Sequence, residues 1–177
     1  MTSKEIAAKE RSAYADMMAS FRAHLDDLTA AAIRYEGHVR QHSAVLASVW
    51  ARGASVHDYH EAEAGMVCGA RNLKVALFLF ADEVELGVLD HVVLGPLINP
   101  QHAPILFGIL GEHTVCSDLC KHVVPQWSVG GRASLEAAPV PPASEIDRII
   151  AHGTKLLALL SQGQKIEQSN LDETEED

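Results

Sequence analysis

Between Tyr14 and Val49, apolar or small side chains recur at alternating steps of four and three: Tyr14, Met18, Phe21, Leu25, Leu28, Ala32, Tyr35, Val39, Leu46 and Val49. His42 is the one polar member of this stripe. About five heptads without a proline is the period of a helix that packs along one seam. If continuous from Ser3 to Arg52, the helix is roughly 75 Å long at about 1.5 Å per residue. Ser3 ahead of Ile6 is a start signal, and Glu5 suits the positive end of the helix dipole. Gly37, inside the pattern, marks a kink or a close packing contact. Arg52-Gly53 is the stop.

Ser55, with Asp58 three residues on, is a capping-box variant that opens a second helix from Val56 to about Phe80. Its small residues, Ala62, Ala64, Gly65, Gly69 and Ala70, permit another helix to approach closely. A short turn between the two helices makes them antiparallel neighbours. The run Val75 to Ala81 is continuously apolar, a pattern shared by buried strands and buried helices. Helix is the reading here, because no breaker precedes the run. Asp82 to Val93 reads as a short further helix, followed by the breakers Gly95-Pro96 and Asn99-Pro100. Ile105 to Val124 is the next helix, ended by Pro125. Residues 126–143 have the glycine and proline content of a linker. Ser144 to Asp147 is an N-cap signature for a last helix, with Ile146, Ile149, Ile150, Leu156, Leu157 and Leu160 on one face and a stop at Gly163.

The expected fold is therefore mainly α: a helical bundle built on a long N-terminal heptad-patterned helix. Residues 1–163 form a single helical domain, and residues 164–177 an acidic, disordered, solvated tail. Composition sharpens this picture. Hydrophobic residues make up 47% and aromatics only 5% of the 177 residues, which favours closely packed, alanine-rich helices over a β-sandwich. A net charge of −10 argues against nonspecific binding to nucleic acid or to an anionic membrane, both of which need a basic surface. The charged N-terminus lacks the apolar core of a signal peptide, and no stretch reads as the eighteen or so apolar residues of a membrane span. Cys68, Cys116 and Cys120 are an odd number without framework spacing, which points to reduced thiols and a cytoplasmic location.

Three clusters carry candidate chemistry. His57, His60 and Glu61 share one side of the second helix, where imidazole and carboxylate could bind zinc or iron; the alternative is a wet, polar first turn. His38 and His42 lie one turn apart on the first helix, as ligands or as hydrogen-bonded seam residues that set register. Glu112, His113, Cys116, Asp118, Cys120 and His122 crowd the third helix, as metal ligands or as small buried thiols with polar neighbours. The spacings His38-x3-His42, His57-x3-Glu61 and His113-x4-Asp118 are loosely similar to the ligand motifs of hemerythrin-like four-helix bundles. That resemblance implies a di-iron centre fed by all four helices and an oxygen, redox or sensing role. The chain departs from the family in the order of the first two pairs, and its last helix carries only His152. The glutamate-histidine pattern of ferritin-like proteins is absent, as are a phosphate-binding glycine loop, a dinucleotide fingerprint and a Gly-x-Ser-x-Gly elbow.

With no catalytic signature, the leading expectation is a non-enzymatic scaffold, adaptor or assembly subunit, with no cofactor. It would act through helix–helix association, with self or with a protein partner, along Tyr14–Val49. The second expectation is a metal-binding helical bundle of the hemerythrin-like kind.

Overall fold

A computed structural model describes residues 1–88, 100–124 and 135–175, apart from the side chains of 167 and 170–175. Four helices carry it: α1 (Ser3–Trp50), α2 (Val56–Leu86), α3 (Ala103–Val123) and α4 (Ala143–Glu175). No strand occurs among the described residues, and the fold is an all-α bundle.

Local chemistry sets the boundaries, and it shifts several of the expected ones. The α1 N-cap is Thr2 rather than Ser3, because Thr2 completes a reciprocal box with Glu5. The Glu5 N–H donates to the Thr2 hydroxyl at 3.3 Å, and the Thr2 N–H donates to the Glu5 carboxylate at 2.6 Å. At the other end Gly53 N–H donates to the Ser48 carbonyl at 2.7 Å and Arg52 N–H to that of Val49 at 3.0 Å. These are the two bonds of a Schellman stop, here with Arg52 rather than glycine in the left-handed conformation, at φ 60°. Ser55 and Asp58 form the expected capping box of α2.

The run Val75–Ala81 is helical, and α2 does not break at Asp82. Ala81 and Val84 extend its buried face, so the helix continues to Leu86. Residues 89–93 of the expected short helix lie outside the described residues, as do Gly95-Pro96, Asn99 and residues 126–134 of the expected linker. By length and composition alone α2 is apolar enough to cross a membrane, because Val67, Val75, Leu79 and Leu86 add exposed apolar surface to its packed face.

Helix α4 starts at Ala143, one residue before the expected cap Ser144. The Pro142 carbonyl accepts from the N–H groups of Glu145 and Ile146 at 3.0 and 3.2 Å, which begins the first turn. The helix does not stop at Gly163 but runs to Glu175, so the expected disordered tail is helical as far as it is described. Gly163 is buried, Gln164 lies beside Ala15, Met18 and Arg22 of α1, and Ile166 packs on the core. Packing there outweighs the roughly 1 kcal/mol helix penalty of a glycine.

Neighbouring helices run antiparallel in up-down-up-down order. His24 faces Glu83 and Phe21 packs on Phe80 between α1 and α2. The Tyr14 hydroxyl donates to the Leu160 carbonyl at 2.5 Å between α1 and α4. Leu159 covers Gly108 between α4 and α3. His113 Nε2 donates to the Val84 carbonyl at 2.9 Å between α3 and α2. One core joins all four helices: Phe21, Leu25 and Leu28 of α1, Leu77, Phe80 and Val84 of α2, Ile109, Cys116 and Cys120 of α3, and Ile149, Leu156 and Leu160 of α4.

Close approach is concentrated at a few glycines. A Cβ on Gly153 would lie 2.9 Å from the Phe80 ring and 3.0 Å from Leu25, so α4 meets α1 and α2 there without room for a methyl group. Gly37 has nothing within 4 Å of such a Cβ, so the close contact expected there falls elsewhere, at Gly69 opposite Tyr35 and His38.

These environments give opposite outcomes for one substitution. Gly111, exposed on α3, has open space around it, and Gly111→Ala is expected to stabilise the fold by about 0.5–1 kcal/mol. Gly153→Ala is expected to destabilise it, because overpacking of about 1–3 kcal/mol exceeds the helical gain. Chemical denaturation of both variants checks the pair.

Candidate functional site

The stripe on α1 meets two different environments. From Tyr14 to Ala31 its side chains are buried against α2 and α4. At Val39 the four-helix region ends, because α4 begins there. Tyr35, Glu36 and Val39 of α1, Leu73 of α2, and Pro141, Ile146 and Ile150 at the start of α4 line a cleft of about 390 Å³. Helix α3 ends nearby, with Val124 next to Phe78 of α2. Beyond this level, among the described residues, α1 and α2 continue as a two-helix hairpin. From Tyr35 to Trp50 it extends about 22 Å at 1.5 Å per residue.

The segment before α4 is fastened across the base of the hairpin. Lys74 is buried, and its ammonium donates to the carbonyls of Glu136 and Ala138 at 3.2 and 2.9 Å. Arg71 pairs with the Glu136 carboxylate at 3.6 Å.

Within the hairpin the expected small-residue contact is present. The His38 ring lies over Gly65 and Gly69, where added Cβ atoms would fall 3.2 and 2.9 Å from it. His42 follows one turn later, with its ring 5.1 Å from that of Tyr59. Its Nε2 atom is buried and has no hydrogen-bond partner among the described residues. Val39, His42 and Val49 are half-buried, Leu46 is 38% exposed, and Trp50 at the tip is 81% exposed. The stripe therefore continues into the hairpin, where, among the described residues, one neighbouring helix covers it.

The predicted metal residues lie on the tip side of this hairpin. His57 Nε2 is 3.4 Å from the Glu61 carboxylate, and His60 Nδ1 is 3.5 Å from that of Glu63. These are two separate pairs on an exposed surface, so His57, His60 and Glu61 are not gathered around one point. The hemerythrin-like set is likewise dispersed. His38 and His42 face α2 inside the hairpin, whereas His113 faces Val84 in the bundle. Among the described residues no three or more histidine, cysteine or acidic side chains stand close enough to share an ion.

On α3 the buried Cys116 and Cys120 lie against each other. That contact and burial push the Cys120 thiol far above the usual thiol range, so it is protonated and poorly nucleophilic at neutral pH. Beside them the Ser117 hydroxyl donates to the Glu85 carboxylate, and Lys121 approaches it at 3.3 Å. The Ser117 hydrogen bond, and secondarily Lys121, hold Glu85 below the usual carboxylate range. The His152–Glu112 pair, at 2.6 Å, ties α4 to α3. Sequence reasoning missed it, since 40 residues separate its members. The lone histidine on the last helix was the only available signal.

Comparison of the chain with protein families, curated proteins and solved structures finds no match.

Two outcomes follow from these side chains. A histidine–carboxylate pair alone does not complete a transition-metal site. Protein purified without an affinity tag is therefore expected to carry well under one zinc or iron per chain, and His57→Ala is expected to melt like wild type with or without chelator. For Glu85, a depressed carboxylate stabilises the fold above its unfolded value, and this stabilisation is lost as pH falls through the folded one. In Glu85→Gln the loss of stability below about pH 4.5 is expected to be shallower than in wild type. Because Glu85 is more than a third exposed, the change stays under about 1 kcal/mol. Thermal melts from pH 3 to 7 check it.

Proposed function

We propose that this protein is a non-enzymatic helical assembly subunit, which associates with other helices through the projecting α1–α2 hairpin. The observation that carries this reading is the change in cover along one continuous stripe. Its Tyr14–Ala31 half is consumed by the bundle's own core, whereas Val39–Val49 has, among the described residues, one neighbouring helix and ends at an exposed tryptophan. Tryptophan is among the residue types that most often dominate an interface. The expected seam along Tyr14–Val49 narrows accordingly to the hairpin. The bundle below it holds the hairpin rigidly, through the Phe21–Phe80 contact and the Lys74 and Arg71 fastening. A rigid, pre-formed face loses little entropy on association.

Charge placed in the two halves of the stripe is expected to separate them. Leu28 is fully buried, and Leu28→Lys unfolds the chain by burying an unpaired charge. Leu46→Lys leaves the melting temperature within about the range of an ordinary surface change, ±0.5 kcal/mol, and removes association. A photocrosslinking side chain at Leu46 should give discrete adducts, identified by mass spectrometry, in cells expressing the protein. The same probe at Thr114, exposed on α3, should give none. Equal crosslinking at both positions would remove the hairpin as the association surface.

A further inference from the structure

We infer that Cys116 and Cys120 form a two-coordinate site for a soft monovalent cation, copper(I), reached through the pocket between α2 and α3. The inference is independent of the assembly reading, since both cysteines lie in the four-helix core rather than in the hairpin.

The first observation is spacing. Cys116 and Cys120 stand one helical turn apart on α3, and their side chains are in contact. Side chains four residues apart on a helix have Cβ atoms about 5–6 Å apart. A disulfide needs Cβ atoms about 3.5–4.5 Å apart, so the pair is set too widely to close on itself. Two metal–sulfur bonds in line, each about as long as a zinc–thiolate bond, hold the sulfurs roughly 4.6 Å apart. That separation is within reach of two cysteines on one turn. The spacing therefore suits a bridging cation better than a disulfide.

The second is the number and kind of ligands. Among the described residues no third histidine, cysteine or carboxylate stands close enough to share an ion with the two thiols. Zinc takes four ligands and is not served by two. Copper(I) is the ion that soft thiolate ligands select, and two thiolates in line complete its shell. Cys116 and Cys120 are 0% and 1% exposed. Such burial keeps water off the metal and guards copper(I) against oxidation.

The third is an entry path. Among the described residues a pocket of about 220 Å³ opens between α2 and α3, lined by Phe78, Ala81, Asp82, Glu85, Cys120 and Lys121. Cys120 is thus buried from bulk solvent yet forms part of the pocket wall. The two carboxylates draw a cation inwards, and the Ser117 hydroxyl holds that of Glu85 in place. On binding, each thiol gives up its proton, which leaves through the pocket to solvent, and two copper–sulfur bonds form. No electron is transferred, because the copper enters as copper(I). The bis-thiolate product carries one net negative charge, and the Lys121 ammonium in the same pocket offsets it.

The test uses the full, reduced chain, with the exposed Cys68 alkylated under native conditions while the two buried cysteines are left free. Copper(I) is added in competition with the chromogenic chelator bicinchoninate. The expected result is one copper per chain retained against the chelator, sulfur-only coordination in X-ray absorption, and a higher melting temperature with the metal than without it. Zinc in the same protocol should not be retained. Cys116→Ala and Cys120→Ala each remove one of the two bonds. Each should weaken copper binding by more than about 100-fold, the upper end of what outer-shell changes alone cost. Metal-free melts show whether these variants fold. If one does not, X-ray absorption on the Cys68-alkylated wild type decides the ligands by itself, because the chain has no other free thiols. Copper lost to the chelator, copper held by nitrogen or oxygen, or copper retained by the folded alanine variants overturns the site and leaves Cys116 and Cys120 as apolar packing residues.

Discussion

One apolar stripe on α1 is longer than the bundle that covers it. The helix is 48 residues and α4 lies against only its first part, because α4 begins beside Val39. Everything distinctive about the molecule depends on that mismatch. Where α4 and α2 both cover the stripe, side chains such as Phe21 and Leu28 reach full burial and supply the core. Each such side chain contributes roughly 1.5–3 kcal/mol relative to exposure. Where, among the described residues, α2 alone remains, the same heptad spacing produces a half-covered seam. Two helices cannot enclose residues that point away from both axes, so the open face follows from geometry.

The bundle tolerates this overhang because its four-helix part is tightly joined. Gly153 lets α4 sit directly on Phe80 and Leu25. The Tyr14–Leu160 hydrogen bond ties α4 to α1 near the N-terminal end of the core, and the Glu112–His152 pair ties it to α3. Buried polar groups are mostly satisfied by specific partners, as Lys74 is by two carbonyls. His42 Nε2 is the exception among the described residues, and it lies in the hairpin rather than the core. Small residues do similar work in the hairpin, where Gly65 and Gly69 admit the His38 ring and bring α1 close to α2.

Histidine enrichment has a structural outcome in this chain. Several of the ten histidines occupy helix contacts, each with its own partner: Ser20 and Glu83 for His24, the two glycines for His38, Tyr59 for His42, Val84 for His113 and Glu112 for His152. An imidazole can pack as a flat ring and donate one hydrogen bond, which suits a chain with only 5% aromatics. Neither His57 nor His60 plays such a part, and each faces a carboxylate on its own helix.

The helices themselves were legible in the sequence, because the 3.6-residue period and the capping residues are local properties. The Tyr14–Val49 stripe, the Ser55–Asp58 box and the Ile149–Leu160 face all fell where expected. The errors were at boundaries that packing decides. Gly163 signals a stop by propensity, and burial beside α1 carries the helix through it. Asp82 signals a start, and Ala81 and Val84 keep α2 intact. The sequence alone likewise determined that His57, His60 and Glu61 share one turn, since i and i+4 positions always do. Only the tertiary structure decided how much of the stripe the bundle covers and which glycines meet another helix. Those outcomes depend on where four separately specified helices stop against one another. Such distances between remote segments have no local sequence code.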